Sequence, residues 1–133
     1  MVDNLRMHTA IINLVTENPS TGEFALILVE DGPWPEANSD WSDCLSRIQN
    51  RLYDAIDIAV DGHLAAKYPN AFGKKARIQI DSPNGVPDRV SNLISTLRTA
   101  ILTEGDEYYS AIKKSPYISA FRIVMGHEVN PHN

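Results

Sequence analysis

Apolar residues follow two rhythms along this chain, and each change of rhythm marks a change of element. "TAIINLVT" (Thr9 to Thr16) is rich in β-branched residues and reads as a strand. "ENPSTGEF" follows, where Pro19 suits a turn and Gly22 a positive φ. "FALILVE" is then an unbroken apolar run. Two strands around a short turn predict an antiparallel hairpin. The lack of alternation in the second predicts a central strand covered on at least part of both faces.

From Asn38 the period lengthens. In "NSDWSDCLSRIQNRLYDAIDIAVDG", Trp41, Leu45, Ile48, Leu52, Ile56 and Ala59 recur at steps of three and four, the stripe of an amphipathic helix. Asn38 or Ser39 suits its cap, Asp40 and Asp43 suit its positive end, and Gly62 supplies the stop. The opposite face carries Asp43, Arg47, Arg51, Asp54, Asp57 and Asp61 and reads as solvated. "HLAAKYPNAFGKK" adds a helical turn that ends before Pro69, then a loop. "ARIQID" alternates Ile78 and Ile80 with Arg77 and Gln79, the pattern of a strand wet on one side.

After the loop "SPNGVPD", Asp88 suits the cap of a second helix carrying Val90, Leu93, Ile94, Leu97 and Ile101. Gly105 interrupts the pattern, "DEYYSAIKKSP" reads as a short extra helix, and "YISAFRIVMGHE" as a last strand. The order ββαβαβ predicts an α+β fold in two layers, a four-stranded mixed sheet with two main helices on one face. The 133 residues fit a single domain, 1–133, with 1–8 and 129–133 as frayed tails.

Composition narrows the function classes. A formal net charge of −5 disfavours nucleic-acid binding through phosphates, with "GKKAR" as the one local basic stretch. One cysteine, Cys44, cannot close an intramolecular disulfide, which fits a reducing, cytoplasmic setting. There is no signal-like n-region and h-region, and no apolar run of membrane-spanning length, so a soluble protein without membrane contact is expected.

Three stretches taken together, "INLVTENPSTGEFALILVEDGPW", "LSRIQNRLYDAI" and "DGHLAAKYPNAFGKKARIQI", resemble a family of small uncharacterised bacterial proteins. Its pattern is a hairpin ending in acid-x-x-Trp, a Gln-containing helix, a Tyr-Pro segment and a Gly-Lys leading into a strand. The resemblance covers roughly residues 10–80. It implies a bacterial, cytoplasmic domain of unknown function and supplies no functional residues.

Candidate chemistry is sparse. Glu30, Asp31 and Trp34 offer carboxylates beside an aromatic platform, suited to a cation, a sugar or a basic peptide. They equally suit a strand exit plugged by a tryptophan between two prolines. Tyr68 with Lys74 and Lys75 around Gly73 could hold an anion, although no phosphate-loop pattern is present. "HEVNPH" has the wrong spacing for a zinc helix, and Pro131 opposes helix there. Asp54, Asp57 and Asp61 lack calcium-loop spacing, and Cys44 reads as a packing residue. No catalytic residue, metal site or cofactor is assigned. The leading expectation is a non-enzymatic interaction or accessory domain binding itself or another protein. One alternative is a small-ligand sensor or enzyme with a pocket near Trp34 and Gly73–Lys75, and another is an immunity-type protein that binds a toxin.

Overall fold

The computed structural model describes residues 12–129. The expected strand residues 9–11, the tail 1–8 and most of the tail 129–133 lie outside the described residues. Four strands, β1 (Leu14–Glu17), β2 (Phe24–Val29), β3 (Lys74–Asp81) and β4 (Ile118–Met125), form one sheet in the order β1-β2-β3-β4. β1 and β2 pair antiparallel, and β2-β3 and β3-β4 pair parallel. Parallel neighbours require crossovers. α1 (Ser42–Val60) and α2 (His63–Lys67) lie within the first, and α3 (Asp88–Ala100) and α4 (Glu107–Lys114) within the second. This is the expected α+β architecture, and β2 is the central strand its unbroken apolar run predicts.

Alternation decides which side of the sheet the helices cover. Leu26 and Leu28 on β2, Ile78 and Ile80 on β3, and Ile123 on β4 are buried and share one face. Ile48, Leu52, Ile56 and Ala59 of α1 and Val90, Ile94 and Leu97 of α3 complete the same core cluster. The opposite face is read from the register in rows. Thr16, Ala25, Arg77 and Arg122 form one, and Leu14, Ile27, Gln79 and Val124 the next. β3 and β4 carry charged or amide side chains on this face, so burying it under another helix would strand polar groups without water.

Local chemistry departs from expectation at one helix start. α1 begins at Ser42, and neither Asn38 nor Ser39 caps it. Asp40 takes that part instead, accepting from the backbone and hydroxyl of Ser42 at 2.9 and 2.6 Å. The Ser39 hydroxyl is turned back to the Glu36 carbonyl. The short helix α4 is capped by Asp106, which accepts from the Tyr108 and Tyr109 amides at 2.8 and 3.3 Å.

Gly62 ends α1 at φ +91°, a conformation that favours glycine. A methyl group there would also lie 2.8 Å from the Tyr117 ring. Gly62→Ala therefore carries two penalties, backbone strain and overlap with an aromatic ring. It is expected to lower stability by about 1–3 kcal/mol in urea denaturation. A loss within the scatter of surface substitutions would show that the Tyr117 contact is not part of the folded state.

Candidate functional site

β2 ends in the acidic segment singled out from sequence. Residues 24, 26 and 28 face the helices, and Glu30 continues that alternation, so its side chain enters the rim of the core and is only 4% exposed. A carboxylate in that position must be matched by charge. Arg47 donates to it twice, through Nη1 to Oε2 and Nη2 to Oε1, both at 2.9 Å. Arg51, one turn further along α1, donates through Nη1 to Oε2 at 2.7 Å. The Arg51 guanidinium also reaches the Val29 carbonyl at 2.8 Å and Asn13 Oδ1 at 2.6 Å. Asn13 Oδ1 accepts from the Val29 amide as well.

One acid thus ties α1 to the end of β2 and to the approach to β1. This corrects the expected helix surface. Arg51 does not belong to a solvated face, because Glu30 draws it inward and leaves its side chain 16% exposed, whereas Arg47 pairs with Glu30 while staying 56% exposed. Burial by itself raises the Glu30 carboxyl pKa. The hydrogen bonds and charges of Arg47 and Arg51 outweigh it and hold the group below its ordinary value.

The other candidates near this end have plain partners. Asp31 is exposed and accepts from Asn84 Nδ2 at 3.0 Å, joining the loops that leave β2 and β3. Trp34 is half-buried against the core cluster, with its indole close over Gly32. Lys74 and Lys75 are exposed at the start of β3, and Lys74 lies beside Gly22 in the β1–β2 turn. Parallel pairing sets Ala76 level with Phe24 and Asp81 level with Val29. The two lysines therefore stand at the amino ends of the strands and Trp34 beyond the carboxyl ends, roughly 20 Å apart along the strand direction. The structure does not bring Trp34 and Gly73–Lys75 into one pocket.

Tyr68 follows α2 and lines a different hollow, a cleft of about 520 Å³ between β1 and the α1–α2 region. Its walls include Ile12, Val15, Ile58, Leu64, Lys67 and Tyr68. Sequence reading gave no sign of it, because it is assembled from the first hairpin and from residues some fifty positions later.

A second missed cluster lies on the sheet face opposite the helices. Glu23, 7% exposed, accepts from Arg77 at 2.7 Å and from Arg122 through Nε and Nη2 at 2.9 and 2.8 Å. Arg77 also donates to Gln79, and Gln79 to Asp81. The Arg122 hydrogen bond is the largest influence on Glu23 and lowers its pKa; burial opposes it, and the Arg77 hydrogen bond and both charges add to the lowering. The wet positions of "ARIQID" were the available signal, but the partners Glu23 and Arg122 are 99 residues apart in the chain.

Remaining motifs are occupied by structure. Glu128 of "HEVNPH" is bidentate to Arg98 at 3.0 and 3.1 Å and accepts from the Met125 amide. On the acidic flank of α1, Tyr53 and Tyr108 stack at 4.8 Å. The Tyr108 hydroxyl is pushed up to about 12 by burial, with the charges of Asp57 and Glu107 adding to it. Among the described residues no group of three or more His, Cys, Asp or Glu side chains is placed to hold a metal ion, and no helix is long and apolar enough to cross a membrane. No protein-family model, curated protein or solved structure matches the chain.

Both buried carboxylates have folded-state pKa values below the ordinary 4.5. Their contribution to stability is therefore full above about pH 4.5 and lost as the pH falls through the lower, folded value. Glu30→Gln is expected to cost about 1–3 kcal/mol at pH 7, discounted because Arg47 is half in water. That gap should narrow as the pH approaches 3 (about 1.5 units below the ordinary value) in urea denaturation. A gap of the same size at both pH values would remove the ion pair as its cause.

Proposed function

We propose that the protein is a non-enzymatic interaction domain that self-associates through the face of its sheet opposite the helices. The observation that carries this reading is the makeup of that face. Leu14 is 55% and Val29 41% exposed, and Ile27 lies between them, directly opposite Leu14 and two residues from Val29. Water-facing β-branched and leucine side chains set together on a sheet are the makings of an interface centre.

The aliphatic centre of the face suits a second copy of the chain as the occupant. Glu23 is matched within the face by Arg77 and Arg122, and the Asp81 carboxylate, in register with Val29, accepts from the Gln79 amide. Two such faces related by a twofold axis set apolar against apolar and keep the arginines in their own ion pairs. Four strands of this length present on the order of 400 Å². A stable interface commonly buries about 800 Å² per partner. The association is therefore expected to be reversible and concentration-dependent.

Sedimentation equilibrium of the full chain is expected to show a monomer–dimer transition over the micromolar to millimolar range. Val29→Lys should shift its midpoint at least tenfold upward without lowering the melting temperature, because Val29 is already partly in water. A monomer at millimolar concentration, or a Val29→Lys protein that dimerises as readily as the parent, would overturn the reading.

A further inference from the structure

We infer that the groove between the outer edge of β1 and α2 binds the C-terminal end of a partner polypeptide, which adds to β1 as a fifth strand. The groove meets the sheet patch at Leu14, which belongs to both, while Ile27 and Val29 of the patch do not line it.

The first observation concerns the backbone. Four consecutive residues, Ile12, Asn13, Leu14 and Val15, line the groove. Successive residues of an extended chain point to opposite sides. Leu14 and Val15 are the two of these that belong to β1, and a surface that touches both must therefore meet the edge of the strand and not one of its faces.

The phase of the ladder shows what that edge offers. The Asn18 amide donates to the Glu23 carbonyl at 2.9 Å, and Thr16 and Leu14 are in register with Ala25 and Ile27. Hydrogen-bonded and non-bonded pairs alternate in an antiparallel ladder. Leu14 and Thr16 therefore direct their amide and carbonyl groups toward β2, while Val15 and Glu17 direct theirs outward. β1 is an edge strand among the described residues, so these outward groups have no strand partner there and offer a ladder to a further strand.

The opposite wall supplies selectivity. Ile58 and Leu64 face the groove with Val15 and make an apolar seat for one side chain of an added strand. Lys67 and Tyr68 provide the polar end. The Lys67 ammonium makes no ion pair and the Tyr68 hydroxyl no hydrogen bond among the described residues. The ammonium stands 5.9 Å from the centroid of the Tyr68 ring. A cation with no ion pair among the described residues, at the end of an apolar groove, suits a carboxylate.

Length then points to a chain end. β1, Leu14 to Glu17, spans about 10 Å of extended backbone, enough for three or four ligand residues. A terminal carboxylate delivers charge, backbone groups and an apolar last side chain within that span.

The test uses the full-length protein and octapeptides with four randomised C-terminal residues and free carboxylates. Selection is expected to enrich peptides ending in an apolar residue. In ¹H–¹⁵N spectra an enriched peptide should shift Ile12 to Val15 and His63 to Tyr68. It should also slow amide exchange at Val15 and Glu17. C-terminal amidation of the peptide, or Lys67→Met in the protein, should weaken binding at least tenfold. Tyr68→Phe should weaken it less, with the fold unchanged in the same spectra.

No enrichment, equal affinity for acid and amide, or unchanged exchange at Val15 and Glu17 would each overturn the inference. Octanoate that shifts the same residues and competes at equal concentration would show a small-molecule site and overturn it too. Leu14 borders both surfaces, so the two readings are separated with Val29→Lys, which should weaken self-association and leave peptide affinity unchanged.

Discussion

One face of the sheet is dry and the other wet, and this asymmetry governs the rest of the molecule. It begins in β3 and β4, where Ile78, Ile80 and Ile123 point to the helices and Arg77, Gln79 and Arg122 point away. A strand with that alternation accepts one cover. Both crossovers must then deliver their helices to the same side, and α1 and α3 meet in a single core there. The strands of the parallel part run in chain order, so the sheet has no point at which successive connections diverge to opposite faces. Such divergence is what opens a ligand crevice at the carboxyl ends of doubly wound sheets. Here that end is closed by Trp34, by the Glu30 ion pairs, and by the Asp31–Asn84 bond.

Two buried acids show how the charge is managed. Glu30 lies at the rim of the dry face, and Glu23 at the entrance of β2 on the wet one, each with two arginines. Pairing of this kind adds little net stability over an apolar substitute, but it penalises any arrangement that separates the partners. Glu30 therefore sets how α1 crosses the sheet, since Arg47 and Arg51 are a turn apart and converge on one carboxylate. Glu23 holds β2, β3 and β4 in register across the wet face. These acids hold the fold together, and their oxygens have little capacity left for a ligand.

What remains available to partners is the surface that this arrangement leaves over: the apolar patch on the wet face and the outer edge of β1 with its groove. Both follow from the hairpin coming first in the chain. Among the described residues β1 is paired on one side only, and its Leu14 is 55% exposed. Recognition through backbone groups and a patch of aliphatic side chains needs no reactive residue. That agrees with a structure in which the two buried acids, Glu23 and Glu30, are each taken up by two arginines.

The local rhythm of residues determined the elements. Alternation in "ARIQID", the stripe from Trp41 to Ala59 and the turn residues Pro19 and Gly22 are short-range signals, and the ββαβαβ order and α+β layering follow from them. Even the wet side of β3 was legible, because a period of two is written in adjacent residues. The tertiary structure alone decided the pairings across long separations. Arg51 looks like a surface charge until the helix crosses above Glu30 and leaves it 16% exposed. Trp34 and Lys74 look like neighbours in a site until parallel pairing sends them to opposite ends of the sheet. Tyr68 acquires a groove only when β1 comes to lie beside α2. A side chain's surroundings are set by elements distant in sequence, and one-dimensional periodicity carries no information about which face of which neighbour arrives there.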